Sequence, residues 1–231
     1  MSKSLVSASL ASENQTVRRK NASTWCWHFC YTHTMNYLAL LFLAQPTADS
    51  CYGNLLGDFQ KGIDVTQLPQ AVKNGLENHK LVDKFTDSHP WVTGLRQTFS
   101  PQRRRFAGIT LDVLFDHFLI QHWQQFSHQP FQTFCDNRYA LLAKRHNDMP
   151  PCMHQVVGSM LENRWLDVYE NVEGVAMALD RTASRIRFRH RFEGSIEEIL
   201  PAYTQINKEF PAFFSELEAH IKEKGLEAPS A

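Results

Sequence analysis

From Met35 onward apolar residues recur at intervals of three and four, and strand-like alternation of apolar and polar positions is nearly absent. Such intervals line one face of a helix, so the pattern predicts an all-α body. Helices are predicted near 36–44, 51–61, 69–86, 90–99, 109–126, 130–145, 151–170, 172–184 and 195–223. Several ends carry chemical punctuation. Ser195 and Glu198 have capping-box spacing, Pro150 and Pro151 suit a helix start, and Gly108 separates a basic loop from the next helix. The last stretch carries Ile196, Ile199, Tyr203, Ile206, Phe210, Phe213, Phe214 and Leu217 on one face, with Pro201 and Pro211 predicting a kink or break.

Residues 1–34 have neither period; they are rich in Ser, Thr, Ala and Asn and read as a disordered tail. Their basic run, Arg18 to Lys20, is not followed by the apolar stretch of a signal peptide. The expected organisation is one helical domain over 35–223, with a short C-terminal tail at 224–231. A chain of 231 residues, 43% of them hydrophobic, can bury one substantial core.

Lys and Arg balance Asp and Glu at 24 each, so no global field draws the protein to nucleic acid or to an anionic membrane. The longest apolar run, Tyr37 to Ala44, falls short of the roughly 20 residues of a membrane span. Five cysteines at irregular spacing suit reduced thiols in the cytoplasm better than a disulfide framework.

Candidate chemistry lies in three segments. His79, Asp83 and Asp87 follow each other four apart, which stacks them on one helical face. Asp112 and Asp116 repeat that spacing among Leu111, Leu114, Phe115 and Leu119, with His117 adjoining, and Asp58 closes the segment Gly53-Asn-Leu-Leu-Gly-Asp. The plain reading is solvated carboxylates on outer helix faces. Buried together, like charges need a cation or a proton to neutralise them, so the alternative is a divalent metal. His89, His128, His146, His154, His190 and His220 lack such acidic spacing and are expected on the surface or in packing. Cys26 and Cys30 with His28 and His33 form at most half a zinc site. A Gly-rich phosphate loop, a Walker lysine and a Gly-x-Ser-x-Gly elbow are all missing.

At these residues the chain resembles the bacterial acyl-carrier-protein phosphodiesterases, a divergent branch of the HD phosphohydrolase superfamily. The resemblance rests on Met35-Asn-Tyr-Leu-Ala39, Gly53 to Asp58, the His79-Asp83-Asp87 stripe, Ile109 to Trp123 and Ala183-Ser-Arg185. It implies an all-helical, manganese-favouring hydrolase that turns holo-acyl carrier protein into the apo form by releasing 4′-phosphopantetheine. It further implies Asp58, His79, Asp83, Asp112 and Asp116 as metal ligands, and Asp58, His79 and His117 as catalytic residues. Relatives of this kind commonly carry a histidine where this chain has Leu40, so one ligand or active-site group is expected to be missing. Residues 1–34 then also read as a mis-called start.

The substrate implied is a small acidic helical protein, which needs a basic docking surface. Arg103, Arg104 and Arg105 supply one candidate, and Arg181, Arg185, Arg187, Arg189 and Arg191, interleaved with Phe188 and Phe192, supply another. Two other readings stay open: an HD-type phosphohydrolase for a small nucleotide or phosphoester, and a non-catalytic carrier-protein binder, the latter suggested by Leu40.

Overall fold

The computed structural model describes residues 37–228 apart from 187, 189 and the side chain of Arg185, so the expectations for residues 1–34 and for Arg187 and Arg189 lie outside the described residues. The elements are α1 (Tyr37–Leu43), α2 (Ala48–Leu56), α3 (Gln70–Ser88), α4 (Pro90–Thr98), α5 (Ala107–Gln121), α6 (Trp123–Phe126), α7 (Phe131–Arg145), α8 (Pro151–Asn163), α9 (Val172–Arg185) and α10 (Tyr203–Lys224). Short 3-10 turns join them and no strand occurs among the described residues, so the all-α single-domain expectation holds.

The centre of the fold is α5, because Thr110 through Leu119 are all buried. A helix that is wrapped on every side must be apolar nearly all round. Its departures from that rule are Thr110, Asp112, Asp116 and His117, which are therefore buried polar groups in need of partners. Phe118 of α5 packs on Phe210, and Phe210 on Phe214, which fastens α10 to the centre.

Two glycines set the approach of α2 to α3. A Cβ on Gly53 would lie 2.3 Å from the carbonyl oxygen of Val72, and one on Gly75 would lie 2.8 Å from that of Ser50. Neither backbone could be that close with a larger residue, and the crossing brings the end of α2 against the middle of α3.

Three predicted boundaries change. The expected helix over 151–170 breaks at Arg164, which is left-handed (φ 47°, ψ 57°) and is held there by Asp136 and Asp167. The last helix begins only at Tyr203: Ser195–Glu198 and Leu200–Ala202 are 3-10 turns around Pro201, whereas Pro211 is accommodated inside α10. Ser195 and Glu198 form no capping box. The Ser195 hydroxyl accepts from Thr110 Oγ1, and Glu198 accepts from the backbone and side chain of Ser100. Gly108 is a first-turn residue of α5 rather than a spacer before it.

Cys51 and Cys135 are free and buried, but Cys152 is disulfide-bonded, so uniformly reduced thiols are not what the structure has. Among the described residues no helix is long and apolar enough to cross a membrane.

Candidate active site

The close α2–α3 crossing places Asp58, just past the end of α2, beside His79 in the middle of α3. The His79 ring lies against Gly57, where a Cβ would be 2.0 Å from its Cδ2 atom. His79 Nδ1 is 2.7 Å from the carbonyl oxygen of Asn54. A carbonyl only accepts, so Nδ1 carries a proton and Nε2 is the ring atom left to face the acids. Nε2 lies 3.1 Å from Asp83 and 3.9 Å from Asp58.

Asn54 is fixed in turn. Its Oδ1 accepts from Asn78, and its Nδ2 donates to the Ser50 carbonyl and to Glu227 near the C-terminus.

The acids are not solvated in the way the plain sequence reading allowed. Asp58 and Asp112 are buried, Asp83 is half-buried and only Asp87 is exposed. Both carboxyl oxygens of Asp58 and the Oδ2 of Asp112 are buried without a hydrogen-bond partner. Burial pushes Asp58 up to about 7, against the lowering effect of His79 and with that of Asp83 adding to the rise. Asp112 is raised well above the usual carboxylate range by burial and by the negative charges of Asp83, Asp87 and Asp116, with Arg96 opposing. For His79, burial works against the charged form, but the Asp83 hydrogen bond, the charges of Asp58 and Asp83 and the bond to Asn54 outweigh it.

Orphaned carboxyl oxygens in a buried site have two remedies, a proton or a cation. The donor types suit a hard divalent ion, and an imidazole that gives its other N–H to a backbone carbonyl is the usual arrangement of a metal-binding histidine. The residues that could hold such an ion are Asp58, His79, Asp83 and Asp112. Their side chains do not close round a common point: among the described residues no three His, Cys, Asp or Glu groups converge at ligand spacing.

Asp116 and His117 are engaged elsewhere. The two Asp116 oxygens accept from the backbone N–H groups of Leu38 and Ala39, at 3.0 and 2.9 Å, and so cap the start of α1. Burial pushes Asp116 up to about 8 in spite of those bonds. His117 is about 140° round the helix from Asp112 at 100° per residue. Its Nδ1 donates to the Tyr169 carbonyl and its Nε2 accepts from the Tyr203 hydroxyl, both at 2.7 Å, so both ring nitrogens are occupied. Burial holds its pKa down. Leu40 is fully buried in the core.

Asp87, predicted on the same stripe as His79, turns instead to pair with Arg96 of α4. Arg96 is the residue that sequence reading missed, since nothing in its spacing links it to α3 or α5.

The two basic segments meet. Arg103 donates to the carbonyls of Arg191 and Glu193 and pairs with Glu198, so its guanidinium is spent on holding the loops together. Arg104 donates to the carbonyls of Gln97 and Phe99. Arg105 stands over the rings of Phe106 and Phe188, 4.5 and 5.1 Å from their centroids. Pro101, Gln102, Arg105, His190 and Arg191 line an open groove of ≈ 690 Å³, beside which Phe188 is exposed. Arg181 and Arg191 are exposed, while nothing is described of the Arg185 side chain.

Comparison with known proteins adds one consistent result. The family model described as acyl carrier protein phosphodiesterase matches residues 35–217. The acyl carrier protein phosphodiesterase of Serratia proteamaculans is 34% identical over 193 residues, which is 83% of this chain and all of that protein. That of Salmonella agona is 33% identical over the same length and coverage. No solved structure matches the chain.

Proposed function

Because the chain belongs to the acyl carrier protein phosphodiesterase family, we propose that it hydrolyses the phosphodiester of holo-acyl carrier protein, releasing 4′-phosphopantetheine and leaving the apo carrier. The observation that carries this reading is Asp58, a buried carboxyl with both oxygens unpartnered, set beside an imidazole whose tautomer the backbone dictates. Such a pair is costly to maintain in a merely structural role.

The residues divide the work. Asn54 holds the His79 proton at Nδ1, so any proton exchange or ligation by the ring takes place at Nε2. A divalent cation, Mn²⁺ on the family resemblance, held by Asp58, His79, Asp83 and Asp112 would supply an activated water and neutralise charge on the phosphoryl oxygens. The departing serine oxygen needs a proton, which His79 could give from Nε2 only where that nitrogen is not itself a ligand to the cation. His117, with both nitrogens occupied, serves better as a strut between α5, the Trp165–Glu170 turn and Tyr203.

An acidic carrier would dock on the groove lined by Arg105 and Arg191. Arg105 lies in the 3-10 turn Arg104–Phe106 that leads directly into α5, the helix that carries Asp112.

The deciding experiment incubates the full chain with holo-acyl carrier protein and Mn²⁺ and follows the carrier's mass. Loss of the phosphopantetheine arm, abolished by Asp58→Ala, is the expected result. An unchanged mass with folded protein, alongside an active relative, would move the reading to another phosphoester or to carrier binding without turnover.

A further inference from the structure

The C-terminal segment reaches the group that orients the imidazole. α10 lies along α3, with Phe213 and His220 both in ring contact with Phe85. It ends at Gly225, whose left-handed conformation (φ 57°, ψ 29°) returns its N–H to the Ile221 carbonyl, and the Ala228 N–H closes the next turn on the Gly225 carbonyl. Glu227, inside that turn, is half-buried, and its Oε2 lies 3.0 Å from the Nδ2 of Asn54, 173 residues earlier in the chain.

A carboxylate only accepts, so this contact settles which end of the Asn54 amide faces outward. The Oδ1 end then points inward, 2.9 Å from the Nδ2 of Asn78. Asn54 thus grips two successive residues of α3: its side chain takes the amide of Asn78, and its main-chain carbonyl takes the Nδ1–H of His79. That carbonyl is available because α2 ends at Leu56, and the last four carbonyls of a helix have no partner within it. The same position makes it vulnerable, since helix ends fray. Gly53 and Gly75 set how near the two helices come, but a glycine has no side chain to tie down the last turn. The Asn54 amide has one, and Glu227 holds it by a charge-assisted hydrogen bond, about twice as strong as a neutral one.

We propose that Glu227 is a positioning residue for His79: through Asn54, the C-terminal segment keeps the last turn of α2 wound and its carbonyl aimed at the imidazole. For turnover the proposal rests on the phosphodiesterase reading above; for the ring it needs no substrate.

The test uses the full chain as wild type, Glu227→Ala and Glu227→Gln. In chelator-treated protein, NMR follows exchange of the His79 Nδ1 proton with water, its signal identified by its loss in His79→Gln, with the buried amides of α5 as the reference for global opening. Turnover of holo-acyl carrier protein with Mn²⁺ gives kcat and KM. Glu227→Ala is expected to speed the Nδ1 exchange by about tenfold, the scale of one lost hydrogen bond, with the α5 amides unchanged. It should also lower kcat by about tenfold, with KM within about threefold of wild type. Glu227→Gln, whose amide oxygen still accepts, should recover most of both. Nδ1 exchange in Glu227→Ala within about twofold of wild type overturns the proposal. So does a rise matched by the α5 amides, or loss of the fold, either of which makes Glu227 a general brace. A full loss shared by Glu227→Gln, or faster exchange with kcat unchanged, overturns it as well. If wild type shows no turnover, it is the phosphodiesterase reading that fails, and the exchange rates decide the place of Glu227 by themselves.

Discussion

Gly57→Ala tests the site at its tightest point. Gly57 has φ −49° and ψ −41°, a helical conformation that alanine adopts readily, so backbone propensity alone predicts a gain of about 1 kcal/mol. Space predicts the reverse. The added Cβ would be 2.0, 2.2 and 2.3 Å from the Cδ2, Nε2 and Cγ atoms of His79. Ordinary carbon contacts are about 3.5–4.0 Å, so the ring must retreat by about 1.5 Å. It cannot swing freely, because Nδ1 is bonded to Asn54 and Nε2 faces Asp83. Overpacking costs about 1–3 kcal/mol and a broken buried hydrogen bond about the same again, which outweighs the propensity gain. Net destabilisation of about 1–5 kcal/mol corresponds to a fall of roughly 3–15 °C in thermal midpoint for a chain of this size. Activity should fall by about 10²-fold, as a 1 Å misplacement in a catalytic group does. Circular dichroism melting and the carrier mass assay read the two effects. A midpoint at or above wild type with unchanged activity would show that His79 does not depend on that contact.

Three further outcomes are expected. In chelator-treated protein the raised pKa values of Asp58, Asp112 and His79 mean that the folded state holds protons the unfolded chain has released. The midpoint should therefore drop as pH rises from the usual carboxylate range through about 7, with Mn²⁺ restoring it above that pH and binding more weakly below it; a midpoint that rises over that range contradicts the burial argument. Asp116→Asn keeps one acceptor but turns an amide N–H₂ toward the other of the Leu38 and Ala39 N–H groups, and should cost about 1–3 kcal/mol in chemical denaturation, a cost under 0.5 kcal/mol being incompatible with its capping role. His117→Ala should cost about 2–4 kcal/mol through the lost Tyr169 and Tyr203 bonds while kcat per folded molecule stays within a few-fold, whereas a collapse of kcat at full stability would return His117 to the chemistry.

The parts of the molecule that local patterning controls were legible in the sequence. Three- and four-residue spacing located the helices, and Pro150 with Pro151 marked the start of α8. Spacing also put His79 and Asp83 on one face, where they meet. It could not divide Asp112 from Asp116. Both share a face of α5, yet α1 arrives over Asp116 with two free N–H groups, whereas the Oδ2 of Asp112 is left without a partner. That difference belongs to tertiary packing. The same holds for Arg164, whose left-handed turn depends on Asp136 twenty-eight residues away, and for Arg96, whose place is set by Asp87 and Gly108 on neighbouring helices. His117 adjoins Asp116 in sequence, but a turn of about 100° per residue carries its ring to another side of α5, toward Tyr169 and Tyr203.

The bond from His79 to Asn54 has a consequence for how this centre can change over generations. Its acceptor is a main-chain oxygen, which every amino acid at position 54 supplies. Substitutions can alter the acids one by one, and with them ion preference or turnover, without deleting the atom that orients the imidazole. Only a shift of the α2 backbone does that, and Gly53 and Gly75 lock this backbone to α3. The ring's orientation is thus inherited with the architecture, and the reactivity built on it is left free to drift.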